Sequence, residues 1–108
     1  MRVWEVDPLL LCRSHLLGEH REIHAIWTFL TTEKGRSYRR HPETLRWTGK
    51  LPALKSRHDA VAREIVRRGW RHQSPLDDLP GAFLQDQFLL TVEEQEALLK
   101  SKRCACLV

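Results

Sequence analysis

Two groups in the leading quarter of this chain could do covalent chemistry on a sugar: the α-amine of Met1 and the carboxyl of Glu22. An α-amine has an ordinary pKa of about 7.7–8.0, against about 10.4 for lysine. Near neutral pH a useful fraction is therefore already the neutral nucleophile, without the burial that a lysine would need. Amines attack electrophilic carbon and form Schiff bases with sugar aldehydes. A neighbouring carboxylate can hold the ammonium form, move protons and stabilise a cationic sugar. From spacing alone, a solvated helix carboxylate is the commoner reading of Glu22.

The elements that must bring these groups together are legible. Asp7-Pro8 reads as a helix start, with Asp at the N-cap and Pro at the first helical position. The helical pattern runs from Pro8 to about Thr32. Glu22 then lies about 22 Å along that helix from Asp7, and six extended residues reach about 20 Å. An arm of residues 1–6, folded back with Val3, Trp4 and Val6 packed on the helix, would carry the first nitrogen to Glu22. Leu9, Cys12, Leu16, Ile23, Trp27 and Leu30 share the apolar face. His15 and Glu22 fall about 20° apart beside it. Gly18 and Ala25 lie next to them and leave room for an approaching sugar.

Lys34-Gly35 ends this helix, and residues 34–50 read as a basic irregular loop. A second helix is expected over 52–68, with Leu54, His58, Val61 and Ile65 inward, Ala62 beside them, and Gly69 ending it. Residues 71–90 read as an irregular crossover packed by Leu76, Leu79, Phe83 and Leu84. Thr91-Val92-Glu93-Glu94 is a capping box opening a last helix to about Lys102. The expected fold class is all-α: one compact domain over residues 1–108, with about three helices, an extended arm and long irregular connections.

His20 and His24 are spaced to share one metal. The zinc-peptidase pattern, however, puts glutamate directly after the first histidine. Glu22 points to nearly the opposite side, and no third ligand is evident by spacing. No metal site is expected. His58 interrupts an apolar stripe and reads as a satisfied core histidine. Cys12, Cys104 and Cys106 make no disulfide framework and fit a reduced, cytoplasmic setting. The last five residues are not a prenylation box, because Ala105 stands fourth from the end. No apolar run is long enough to span a membrane, and no signal peptide is recognisable.

Charge is unevenly spread. Residues 34–72 hold twelve lysines and arginines against Glu43, Asp59 and Glu64, a balance of +9, whereas the flanks sum to −5. A basic middle suits a polyanion bound along one surface, and a solvated basic face is the bland alternative. Tyr38, Trp47 and Trp70 interleave with these charges and could stack on bases, although core packing is the commoner use of such aromatics.

The run His15-Leu16-x-x-Glu19-x-Arg21-Glu22 resembles the signature of the pyrimidine-dimer DNA glycosylase/AP lyases of the phage endonuclease V type. Ala62-Arg63-Glu64-Ile65-Val66-Arg67-Arg68-Gly69-Trp70 is similar to that family's second long helix and its Arg-Gly-aromatic ending. The matched stretches cover roughly residues 1–72. The resemblance implies a nucleoid-associated, monomeric repair enzyme on damaged double-stranded DNA, needing neither metal nor organic cofactor. It implies Met1 as nucleophile, Glu22 as its acid–base partner, and excision through an imine and β-elimination. Arg2, His15 and Arg21 would hold phosphates. Arg39, Arg40, Arg46, Lys50 and Arg57, from the basic loop and second helix, would supply salt-sensitive affinity.

The chain departs from the pattern in three places. Arg2 is too bulky for the usual methionine trimming, so Met1 is expected to remain. Ala25 stands where the family has an arginine, and the aromatic, basic tail is replaced by Cys104 to Val108. Pyrimidine-dimer excision therefore stays beside two alternatives: a broader abasic-site lyase and a noncatalytic helical nucleic-acid-binding module. An interaction protein using leucine-rich helix surfaces is a third.

Overall fold

Asp7 caps a helical turn, but not a long helix. Its carboxylate accepts the Leu9 N–H at 3.0 Å and closes a single 3-10 turn over Pro8–Leu10. Leu11 and Cys12 are then extended, and helix α1 runs over Arg13–Thr31. The expected start at Pro8 is thus corrected by five residues. The cause is tertiary: Leu11 is fully buried, and the Arg68 guanidinium binds the carbonyls of Pro8, Leu9 and Leu11. Those carbonyls find an arginine from the far end of another helix instead of i+4 amides.

The computed structural model describes residues 1–72 and 74–108; the part of the expected crossover at residue 73 lies outside the described residues. Helix α2 spans Pro42–Leu45, α3 spans Leu51–Arg67 and α4 spans Val92–Ser101. Among the described residues there is no strand, so the chain is all-α as expected. Leu16, Ile23, Ile26 and Trp27 of α1 join Leu54, Val61 and Ile65 of α3 in the core. Each such side chain contributes roughly 1.5–3 kcal/mol of transfer free energy when fully buried. Leu9, assigned to the apolar face, is instead half exposed because it belongs to the separate first turn.

The expected irregular loop at 34–50 holds more helix than its composition suggested. A 3-10 turn covers Arg36–Arg40, and His41 Nδ1 accepts the Glu43 N–H at 3.1 Å to cap α2. Gly35 enters the turn at φ +62°, where a Cβ would run into the Phe29 ring, itself stacked on Tyr38. Tyr38 remains exposed, whereas Trp47 is buried and donates to Glu43. In the crossover Leu76 and Leu79 pack against the core, but Phe83 and Leu84 are 84% and 72% exposed. Backbone hydrogen bonds help to dock that segment. The Ala82 N–H donates to the Gly49 carbonyl at 2.9 Å, and the Ala82 carbonyl accepts from Ala53 at 3.2 Å. The capping box of α4 is formed from both sides, between Thr91 and Glu94.

The arm is extended with no strand beside it, so its backbone polar groups need side-chain partners. Three elements supply them. Trp4 N–H donates to Glu19 Oε1 of α1 at 3.2 Å, and Glu5 N–H to Gln95 Oε1 of α4 at 2.7 Å. The Val3 carbonyl accepts from Arg46, just past α2, at 2.9 Å. Val3, Trp4 and Val6 are buried beneath this clamp.

Candidate active site

Met1 and Glu22 line one cleft of about 280 Å³, together with Arg2, Trp4, Ser14, His15, Gly18, Glu19 and Lys102. Although α1 starts later than expected, the arm still reaches this flank. Glu22 is two turns along α1 from His15, which places both on the cleft side. Gly18, between them, has nothing nearer its absent Cβ than the Arg21 guanidinium at 3.8 Å, so the helix surface there is open.

Glu19 is the anchor that the sequence reading left without a role. It is buried, receives Arg57 Nε at 2.6 Å and Nη2 at 2.9 Å, and accepts the Trp4 amide. Burial pushes its carboxyl up from the ordinary value, while Arg57 and the Trp4 N–H pull the other way. A bidentate guanidinium fixes both oxygens and so fixes the height of the arm over α1. Lys102, from the far end of the chain, adds a cation to the cleft that no local spacing could have announced.

The eight residues expected to hold DNA divide into two groups. Arg21 and Arg40 are exposed, and Arg2 lies at the cleft with its guanidinium 5.1 Å from the Trp4 ring centre. His15 also lines the cleft, edge-on to Trp4, but its Nδ1 faces the sulfurs of Cys12 and Cys106. The other four are engaged within the protein. Arg46 is buried and bonded to Glu43, Glu5, Val3 and Gln87. Arg57 is committed to Glu19. Lys50 donates to Gln85, Asp86 and Gln87, and Arg39 binds the carbonyls of Phe29 and Thr32 at the end of α1. Arg46 is buried and Arg57 only partly exposed, and both are already paired with carboxylates, which leaves little of either guanidinium for a phosphate.

Among the described residues, two side-chain groupings have donor sets that fit a metal. His20 and His24 do acquire further candidate ligands, His58 from α3 and His72 from beyond it. The absence of a third ligand, inferred from spacing, is thereby corrected. His58 is buried, as expected of a core histidine, yet it sits among imidazoles. Burial, with the neighbouring imidazoles, pushes His20 down to about 4. Cys12, His15, Cys104 and Cys106 form the second grouping.

A family profile for pyrimidine dimer DNA glycosylases matches residues 1–78, which contain the arm, α1, α2 and α3. The chain belongs to this family. It is a DNA glycosylase by family, and DNA is the substrate that membership implies. The matched span ends before α4, so Lys102 and the cysteine tail lie outside it. No curated protein and no solved structure matches the chain. No helix among the described residues is long and apolar enough to cross a membrane.

Proposed function

We propose that this glycosylase removes an ultraviolet-induced pyrimidine dimer and then cuts the strand as an AP lyase, using the Met1 amine as nucleophile. The damaged nucleotide is drawn out of the stack, so that its sugar enters the cleft. The amine lone pair bonds to C1′ as the glycosidic C–N bond breaks, and the base leaves with that electron pair. Loss of the amine proton and opening of the sugar ring, with O4′ protonated, leave an imine. Glu22 stabilises the cationic sugar and then takes a proton from C2′. The electrons released expel the 3′ phosphate, which is β-elimination. Arg2 and Arg21 hold the DNA backbone around the cleft, and Arg40, on the 3-10 turn at the far end of α1, holds it farther along.

The observation that carries this reading is that Met1 and Glu22 line the same cleft, at the end of an arm clamped by Glu19, Arg46 and Gln95. Borohydride reduction during incubation with dimer-containing and abasic oligonucleotides is the test. A covalent adduct mapped to residue 1 on both substrates is expected. An adduct only on the abasic strand replaces the dimer by a broader abasic-site lyase. Tight binding without any adduct, using untagged protein with a verified N-terminus, overturns the amine mechanism and leaves a noncatalytic DNA-binding module.

A further inference from the structure

All three cysteines and every histidine except His41 fall into two clusters, each with its four donor atoms within 4.8 Å of one another. We propose that both clusters are zinc sites: Cys12, His15, Cys104 and Cys106 bind one Zn²⁺, and His20, His24, His58 and His72 bind a second. Neither is required by the amine chemistry above, and the two rest on separate observations.

In the first cluster His15 Nδ1 lies 3.1 Å from Cys12 Sγ and 3.3 Å from Cys106 Sγ. Tetrahedral zinc, with bonds of about 2.3 Å to sulfur and about 2.0–2.1 Å to nitrogen, needs donor separations of about 3.5–3.8 Å. Small adjustments of side chains bring the four atoms to that figure. The Cys12 N–H donates to Cys106 Sγ at 3.1 Å, which holds that sulfur against the start of α1 beside His15. The cysteines are unbridged, so all three sulfurs are available. Sulfur with imidazole selects zinc over the hard cations, and four protein ligands make a closed, structural site. Binding releases the thiol protons to solvent. The ion would tie the tail beyond α4 to the first turn of α1. His15 and Lys102 both line the active cleft, so this tie would fix one wall of it.

The second cluster is carried by a hydrogen-bond deficit. His72 Nε2 lies 2.9 Å from His20 Nε2 and 3.3 Å from His58 Nε2, and one ring nitrogen can donate only one proton. His24 Nε2 is buried without any partner. Pairing His72 Nε2 with either neighbour leaves the other unserved, along with His24 Nε2, whereas a single cation accepts all four lone pairs. The His58 Nδ1 lies 2.9 Å from Asp59 Oδ1. A carboxylate there holds the proton on Nδ1 and leaves Nε2 free to ligate, as is usual behind zinc-bound imidazoles.

The test uses untagged full-length protein, handled with a non-thiol reductant and supplied with zinc. Mass spectrometry of the metal content should give two Zn²⁺ per chain. X-ray absorption should find three sulfur and five nitrogen ligands per two ions. Cobalt added to apoprotein should give a thiolate-to-metal absorption band. Cys106→Ser should lose one ion and that band; His24→Gln should lose one ion and keep it. Loss of an ion in only one variant supports that site and overturns the other. No zinc uptake overturns both. A Cys12–Cys106 disulfide in the reductant-treated protein, or cobalt binding without sulfur ligation, overturns the first site. Should either variant fail to fold, the sulfur-to-nitrogen count on the unmutated chain decides both.

Discussion

The backbone amide of Trp4 donates to the buried carboxylate of Glu19, and Arg57 holds the same carboxylate from α3. One acidic side chain thus sets the position of the arm relative to both long helices. Glu19→Ala leaves the largely covered Arg57 charge unpaired, a change worth up to about 3–5 kcal/mol in fully buried pairs. The expected result is a large fall in the urea midpoint. Glu19→Ala with Arg57→Met should recover part of the stability but little imine trapping, because the arm's amide partner is still missing. Full recovery of trapping would refute the positioning role.

Glu22→Gln keeps the size of the side chain and removes its capacity to take a proton. Strand cleavage at an abasic site should fall by about 10²–10⁴-fold, the usual range for such a group. Affinity for the same duplex, measured by fluorescence anisotropy, should change by no more than a few-fold. Unchanged single-turnover cleavage would remove Glu22 from the mechanism.

The cations separate by burial into those expected to touch DNA and those that hold the fold. Arg21→Ala and Arg40→Ala should each weaken binding at every sequence and reduce the salt slope by about 0.9 for each phosphate no longer neutralised. Arg46→Ala should leave that slope unchanged and lower thermal stability, since it strips partners from Glu43, Glu5 and the Val3 carbonyl. A reduced salt slope for Arg46→Ala, with stability intact, would return that residue to the DNA surface.

Glu64 gives the stability a defined acid limb. The Arg67 guanidinium, and then Arg68, hold its carboxyl down at about 2, against opposing burial. A depressed carboxyl contributes its full stabilisation above the unfolded value of about 4.3 and loses it as pH falls through the folded value. Glu64→Gln should therefore cost on the order of 1–2 kcal/mol at pH 7, allowing for the exposure of Arg67, and almost nothing near pH 2. Urea titrations across that interval should show the two proteins converging on acidification.

What the sequence made legible were features written within a few residues. The Thr91–Glu94 box, the apolar positions of α3 and the buried arm at Val3, Trp4 and Val6 are of this kind. The break before Arg13 was not, because Arg68 and the burial of Leu11 override a good N-cap at Asp7. The cleft was legible as a pairing of Met1 with Glu22. Its clamp was hidden, since Glu19, Arg46 and Gln95 look like surface residues until three elements converge on the arm. The histidine grouping was half visible: His20 and His24 share a helix face, but His58 and His72 join them only through the packing of α3 on α1.

The Leu107 amide donates to the Leu10 carbonyl at 2.7 Å, so residues almost a whole chain length apart meet beside the cleft. Closing so long a loop carries an entropic cost that local contacts do not share, and contacts of this separation slow folding. A ribosome-bound chain cannot make this hydrogen bond before Leu107 has emerged from the exit tunnel. The wall of the cleft nearest the tail therefore depends on residues made late, as does the Gln95 contact that helps to clamp the arm.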